Sequence, residues 1–220
     1  MTYLDPGSSQ MGKKESLEDT AKVLGRFFDG IEYRGYEQSV VEGLAKHAGI
    51  PVWNGLTDVD HPTQILADLM TIEEKVAKPL NHVKVVFSGD IRNNMSYAWM
   101  YGCAKMGMHY VAYGPDELAA QLDQEILKKV QEVAAETGAT IEISSNPESL
   151  KGADVVYADV WASMGQEDEA AERKKIFKNY CVNAETMSYA AKDAMVCPEG
   201  KEKSCCRSII RGITLPKTSD

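Results

Sequence analysis

The segment NGLTDVDHPTQILADLM, residues 54–70, places His61, Pro62, Thr63 and Gln64 at the entrance to a helix. Proline suits the first helical position, because its missing N–H would have no partner there. Leu66, Leu69 and Met70 then recur at helical spacing and supply the expected apolar face. Unpaired backbone N–H groups at a helix N-terminus favour negative charge. An imidazole and a carboxamide beside them suit an anion that also carries a carbonyl. A lone histidine in this place is more simply a cap, so its neighbours decide.

Those neighbours cluster at the ends of short apolar runs. Arg34 closes the run GIEYR, and Gln10 lies in the polar loop GSSQMGKKE that follows TYLD. Farther on, VKVVFSGD leads into Ile91-Arg92-Asn93-Asn94, MHYVAYGP into Asp116, and ADVVYADV into Asp159, Ser163, Met164 and Gly165. Open parallel sheets bind ligands beyond the carboxyl ends of their strands. The first group (Arg, His, Gln, Lys) suits an anion with a carbonyl. The second (Asn, Asp, Ser) suits a zwitterion such as an amino acid. Each residue also has a plain structural use: Arg34 as a surface charge, Asn93-Asn94 as a helix cap, Asp159 as the partner of a surface lysine, Ser163-Met164-Gly165 as a turn. Their shared placement at strand ends favours the functional reading.

The elements that carry these residues alternate strand and helix. SLEDTAKVLGRFF reads as a helix opened by a Ser16–Asp19 capping box, with Leu17, Ala21, Leu24 and Phe28 on one face. Helices are also expected in YEQSVVEGLAKHAG, from Pro62 to about Val76, in NNMSYAWMYGCAKMG, as one long element in DELAAQLDQEILKKVQEVAAETG, and in DEAAERKKIFKNY. Between them stand the strands TYLD, GIEYR, IPVWNG, VKVVFSGD, MHYVAYGP, TIEISS, ADVVYADVWA and the start of KDAMV. Such alternation implies α/β architecture with doubly wound parallel sheets. KPLNH breaks the pattern and divides the chain into lobes at 1–77 and 78–196, followed by a patternless tail at 197–220.

Bulk properties narrow the classes. The chain has 220 residues, 44% apolar, with a formal net charge of −9, which argues against a nucleic-acid surface. It contains no apolar run of the roughly 18 residues a membrane span needs. The first ten residues lack the basic and apolar regions of a secretory signal. Five scattered cysteines, an odd count, read as reduced thiols in a cytoplasmic protein. Cys205 and Cys206 have no partner pair for zinc, so no metal site is expected. SGDIRNN lacks the Gly-x-Gly-x-x-Gly pattern of a dinucleotide fold.

Five segments, in order, carry a resemblance: LDPGSSQMGKKES with DTAKVLGR, IEYRGY, PVWNGLT with HPTQILAD, SGDIRNNM, and ADVWASMG. Over about residues 2–195 they resemble the ornithine carbamoyltransferases of the aspartate/ornithine carbamoyltransferase family. DVWASMG is similar to the ornithine-specific loop rather than to that of putrescine or aspartate enzymes. The resemblance implies a carbamoyl phosphate lobe, an ornithine lobe, and active sites shared within a homotrimer or a higher homo-oligomer. It implies that Arg34, His61 and Gln64 bind carbamoyl phosphate and act in catalysis, that Gln10 reaches a neighbouring subunit's site to bind carbamoyl phosphate there, and that Asn94, Asp159, Ser163 and Met164 bind ornithine. It implies no metal or organic cofactor. Two departures accompany it. The family's Ser-Thr-Arg-Thr-Arg phosphate signature has no match here, and its His-Cys-Leu-Pro reads Val196-Cys197-Pro198-Glu199-Gly200. The expectation is a carbamoyltransferase fold whose first lobe is incomplete. An inactive ligand-binding or subunit-associating remnant, or an enzyme for another amine such as putrescine, are its alternatives.

Overall fold

The computed structural model describes residues 2–4, 15–158 and 170–198. The chain separates into two compact units, Met1–Leu69 and Met70–Asp220.

Among the described residues, the first unit holds two helices, the start of a third that continues past Leu69, and a two-stranded parallel sheet. Helix α1 (Leu17–Phe27) opens where Ser16 accepts from the Asp19 amide at 3.1 Å and donates its hydroxyl to the Asp19 carboxylate at 2.7 Å. Strand β1 (Ile31–Arg34), helix α2 (Gln38–His47) and strand β2 (Val52–Leu56) follow. Ala21, Leu44 and Ala48 form the buried centre, with Leu17, Leu24, Ile31, Tyr33 and Val52 packed around them. A Cβ at Gly25 would lie 1.9 Å from the Ala48 carbonyl oxygen, so the approach of α1 to the end of α2 requires glycine. Helix α3 (Pro62–Lys75) begins at Pro62, as the sequence implies. Its buried face differs from the expected one. Ile65, Leu69 and Ile72 are buried, whereas Leu66 and Met70 are each 62% exposed. Both sets fit helical spacing, so periodicity alone could not choose between them. Thr2–Leu4 forms no strand, contrary to the reading of TYLD.

The second unit holds a five-stranded sheet of strands β3 (Lys84–Ser88), β4 (His109–Tyr113), β5 (Thr140–Ser144), β6 (Val155–Ala158) and β7 (Met195–Pro198). Its spatial order is β5-β4-β3-β6-β7, with every pairing parallel. The order reverses beside β3, which makes the β3–β6 carboxyl ends the topological switch point. The doubly wound reading therefore holds for this unit. Strand alternation feeds two cores. Val86, Val111 and Val156 lie on the face covered by Leu150 and Val182. On the other face Phe87 stacks on Tyr157 at 5.7 Å, and Trp99 of helix α4 (Asn94–Met106) meets Tyr157 edge-on at 5.6 Å.

The long helix expected from residue 116 to 138 is two helices, α5 (Asp116–Ala119) and α6 (Gln124–Thr137). Asp123 separates them because it caps α6, accepting from Glu125 and Ile126 at 2.9 and 3.1 Å, while its own N–H donates to the Tyr97 hydroxyl. Helices α7 (Ala170–Ile176) and α8 (Ala184–Tyr189) complete the unit, and α8 was not anticipated. Cys103 is fully buried, and burial pushes its thiol up. Cys103 is in no disulfide, whereas Cys181 is disulfide-bonded, against the reading of reduced thiols throughout. Among the described residues, no helix is long and apolar enough to cross a membrane.

Candidate functional site

Three of the expected site residues, Arg34, His61 and Gln64, lie in the first unit at the carboxyl side of its short sheet. Arg34 is the last residue of β1 and is exposed. Pairing with β2 slips between Tyr33 and Arg34, so that Arg34 stands opposite Leu56. An irregularity of this kind at a strand end re-aims the side chain that follows it.

A braced turn carries His61 from β2 into α3. Thr57, fully buried, donates its hydroxyl to the Gln38 side chain at 2.8 Å and accepts from the Asp60 amide at 3.1 Å. The Thr57 amide donates back to the Asp60 carbonyl, and the His61 amide donates to the Asp60 carboxylate at 2.8 Å. His61 is half-buried, and its Nδ1 lies 3.3 Å from the Thr63 hydroxyl. That hydroxyl is also 3.2 Å from the Gly55 carbonyl oxygen. It has one proton to give. When Thr63 donates to Nδ1, the neutral ring carries its proton on Nε2, the tautomer able to donate to a ligand carbonyl.

Burial, and then the positive charge of Arg34, hold the His61 imidazole below its ordinary value. An NMR titration of the ring should therefore give a midpoint below about 6.5, the unperturbed value. The sign follows. As pH falls from 6.5 the unfolded chain protonates first, so the site's contribution to stability declines until the folded ring itself titrates. A midpoint at or above 6.5 would overturn the downward shift, and one above about 7 would leave the ring mostly charged at pH 7.

Gln64 sits on the first turn of α3 and donates its Nε2 to Asp68 Oδ1 at 2.9 Å. A carboxylate only accepts, so this contact fixes the amide's orientation. Its Oε1 and second N–H are not engaged by Asp68. Burial raises the Asp68 carboxyl despite the Gln64 hydrogen bond, and its Oδ2 is buried with no partner among the described residues. Asp68 did not figure among the sequence candidates, although its spacing of four from Gln64 is a readable helix pair.

In the second unit the β3 carboxyl end turns through Gly89 and Asp90 into α4. Asn93 is the N-cap, accepting from the Ser96 amide at 2.8 Å, and Asn94 is the first helical residue. Asp90 is 3% exposed and accepts from Arg92 Nε and Nη2, each at 2.9 Å, and from Arg173 Nη2. Burial alone would push its carboxyl up, but the hydrogen bonds from Arg92 and Arg173 hold it below the usual carboxylate range. Gln10, Asp159, Ser163 and Met164 lie outside the described residues, as does the tail beyond residue 198. No cluster of three or more metal-ligating side chains occurs among the described residues.

Residues 81–198 match the family described as "Aspartate/ornithine carbamoyltransferase, Asp/Orn binding domain", and residues 1–74 match its "carbamoyl-P binding domain". A catabolic ornithine carbamoyltransferase of Clostridium perfringens is 65% identical over 183 residues, which cover 82% of this chain and 55% of the relative. An ornithine carbamoyltransferase of Caldanaerobacter subterraneus is 54% identical over 87% of this chain and 60% of its own length. The solved structure of ornithine carbamoyltransferase from Pyrococcus furiosus superposes with a TM-score of 0.83 at 41% identity, over 92% of this chain and 64% of that one. The chain thus spans a little over half the length of the curated relatives it matches. With both units matched in order, and one family description alone covering more than half of its residues, the chain belongs to the aspartate/ornithine carbamoyltransferase family.

Proposed function

We propose that this chain acts as an ornithine carbamoyltransferase, moving the carbamoyl group of carbamoyl phosphate to the δ-amine of L-ornithine to give L-citrulline and phosphate. The observation that carries the reading is the placement of Arg34, His61 and Gln64 around one sheet end, in the unit matched to the carbamoyl phosphate domain. The relatives named above are ornithine carbamoyltransferases, which supports L-ornithine as the acceptor.

In this reading residues 1–77 bind carbamoyl phosphate and residues 78–196 bind ornithine. Arg34 offers a planar fork to the phosphate. The amine nitrogen, unprotonated, attacks the carbamoyl carbon; the bond from that carbon to the phosphate oxygen breaks, phosphate leaves, and the amine proton is lost. Negative charge grows on the carbonyl oxygen during attack, where a fixed His61 N–H lowers the barrier. Gln64 holds the carbamoyl group through the amide atoms not engaged by Asp68. Asn94, with Asp159, Ser163 and Met164, grips ornithine, and Gln10 serves a neighbouring subunit in a cytoplasmic homotrimer. Carbamoyl phosphate is already activated, so positioning supplies much of the rate.

The test is citrulline formation from carbamoyl phosphate and L-ornithine. It is run on the purified chain and on the chain joined to the parts of the Clostridium perfringens relative that lie outside the match. Citrulline from either, with little product when putrescine replaces ornithine, supports the proposal. No citrulline from both overturns it, and equal use of putrescine overturns the acceptor assignment.

A further inference from the structure

The reaction scheme leaves Asp90 without a task, yet it is the most heavily engaged carboxylate among the described residues. It lies at the carboxyl end of the central strand, beside the switch point. Its Oδ1 accepts from the Arg92 backbone amide at 3.1 Å and from Arg92 Nε at 2.9 Å, while Oδ2 accepts from Arg92 Nη2 and Arg173 Nη2. Its carbonyl accepts from the Asn93 amide at 3.2 Å. The two arginines are tied elsewhere as well. Arg92 Nη1 donates to Gln121 at 2.7 Å, and the Arg173 guanidinium, on α7, lies 5.3 Å over the Phe177 ring. Arg173 is itself 7% exposed.

The backbone around this centre is constrained. Gly89 has φ of 138°, a region L side chains rarely adopt, and its N–H donates to the Tyr113 carbonyl. A Cβ at Gly114 would lie 2.7 Å from the Gly89 carbonyl oxygen, so the neighbouring strand end leaves no slack. The turn from Gly89 to Asn94 is thus wrapped around one buried carboxylate, which Arg92 of the turn itself and Arg173 of α7 hold through their guanidinium groups.

We infer that Asp90 is a positioning residue for the amine acceptor: by gathering Arg92 and Arg173 it fixes the turn that presents Asn94. The inference rests on the acceptor assignment made above and adds to it. Asp90 touches no reacting atom. Its buried charge is matched by two guanidiniums in directional, charge-assisted bonds, the kind that specify geometry rather than merely stabilise. Asp90→Asn keeps the shape but sets an NH2 group against the guanidiniums and leaves buried cations unmatched, a severe local disruption.

The experiment titrates L-ornithine into the full chain by calorimetry and follows amide exchange in residues 89–96. Four proteins are used: wild type, Asp90→Asn, Arg92→Met, and Lys78→Met as a control. Lys78 pairs with a different buried carboxylate, Asp154, in the same unit. Asp90→Asn should weaken ornithine binding at least tenfold and Arg92→Met severalfold, both with faster exchange at 89–96. Lys78→Met should lower stability with affinity unchanged. Faster exchange in Asp90→Asn with wild-type affinity would reduce Asp90 to a structural tie and overturn the inference. Equal loss of affinity in Lys78→Met would do the same, because general loosening would then explain the effect. Wild type that fails to bind L-ornithine overturns the acceptor assignment and the inference together, whereas wild type that binds while its variants bind equally well overturns the inference alone. Should Asp90→Asn not fold, Arg92→Met, altered at a partly exposed side chain, decides on the same criterion.

Discussion

Replacing His61 with alanine is expected to lower kcat/KM for citrulline formation about 100- to 1,000-fold, the cost typical of losing one fixed donor to a developing oxyanion. The size follows from how the ring is held. Thr57 anchors the turn on Gln38, the Asp60 carboxylate receives the His61 amide, and Thr63 stands 3.3 Å from Nδ1. A donor held in this way needs no reorganisation as charge develops, unlike water. Burial and Arg34 hold the imidazole below its ordinary value, and when Thr63 donates to Nδ1 the neutral ring's Nε2–H can donate without a competing full charge. Fold should survive, because the buried face of α3 is Ile65, Leu69 and Ile72 rather than the residues of its entrance. Steady-state kinetics beside a denaturation curve check both parts. A loss under threefold with unchanged stability would remove His61 from the chemistry.

Trp99→Ala should be the most damaging single truncation in the second unit, costing about 3–5 kcal/mol. Trp99 is fully buried, meets Tyr157 edge-on, and through it joins the Phe87 stack on the central strand. Alanine there leaves a cavity the surrounding strands cannot close. Trp99→Phe should behave very differently. The indole Nε1 is buried with no hydrogen-bond partner among the described residues. An orphaned buried donor costs about 1–3 kcal/mol, so removing it offsets part of the lost packing. The net change should fall within about 1 kcal/mol of zero, by this partial cancellation. Urea midpoints of the three proteins provide the comparison. Similar midpoints for the Phe and Ala variants would mean that the indole nitrogen is satisfied in solution.

The sequence made legible whatever depends on local pattern. Ser16 with Asp19, Pro62 at the head of α3, and the apolar run Val85–Phe87 each announced its element through neighbouring residues. The family, too, was visible in short ordered motifs. What escaped was decided at a distance. Leu66 and Ile65 are equally apolar, and only packing determines that Ile65 is the buried one. Asp123 opens α6 partly because Tyr97 receives its N–H. Asp90 and Arg173 stand 83 residues apart, and no period or motif links them. The position of Arg34, His61 and Gln64 at element ends was legible because pattern could locate those ends. Asp68 and Thr57, which hold two of these in place, looked like ordinary helix and loop residues.

The order β5-β4-β3-β6-β7 has a consequence for synthesis on the ribosome. Val85 finds Tyr110 soon after both emerge, and β5 can join as the next element. The other edge of β3 must wait for Val155, and the last strand for Met195. Until then the nascent chain carries the central strand of its sheet with one side open, a template for pairing with another chain. The interval between translating residue 113 and residue 158 is therefore when this unit most needs a chaperone, and slowed elongation there should divert more of the product into aggregates.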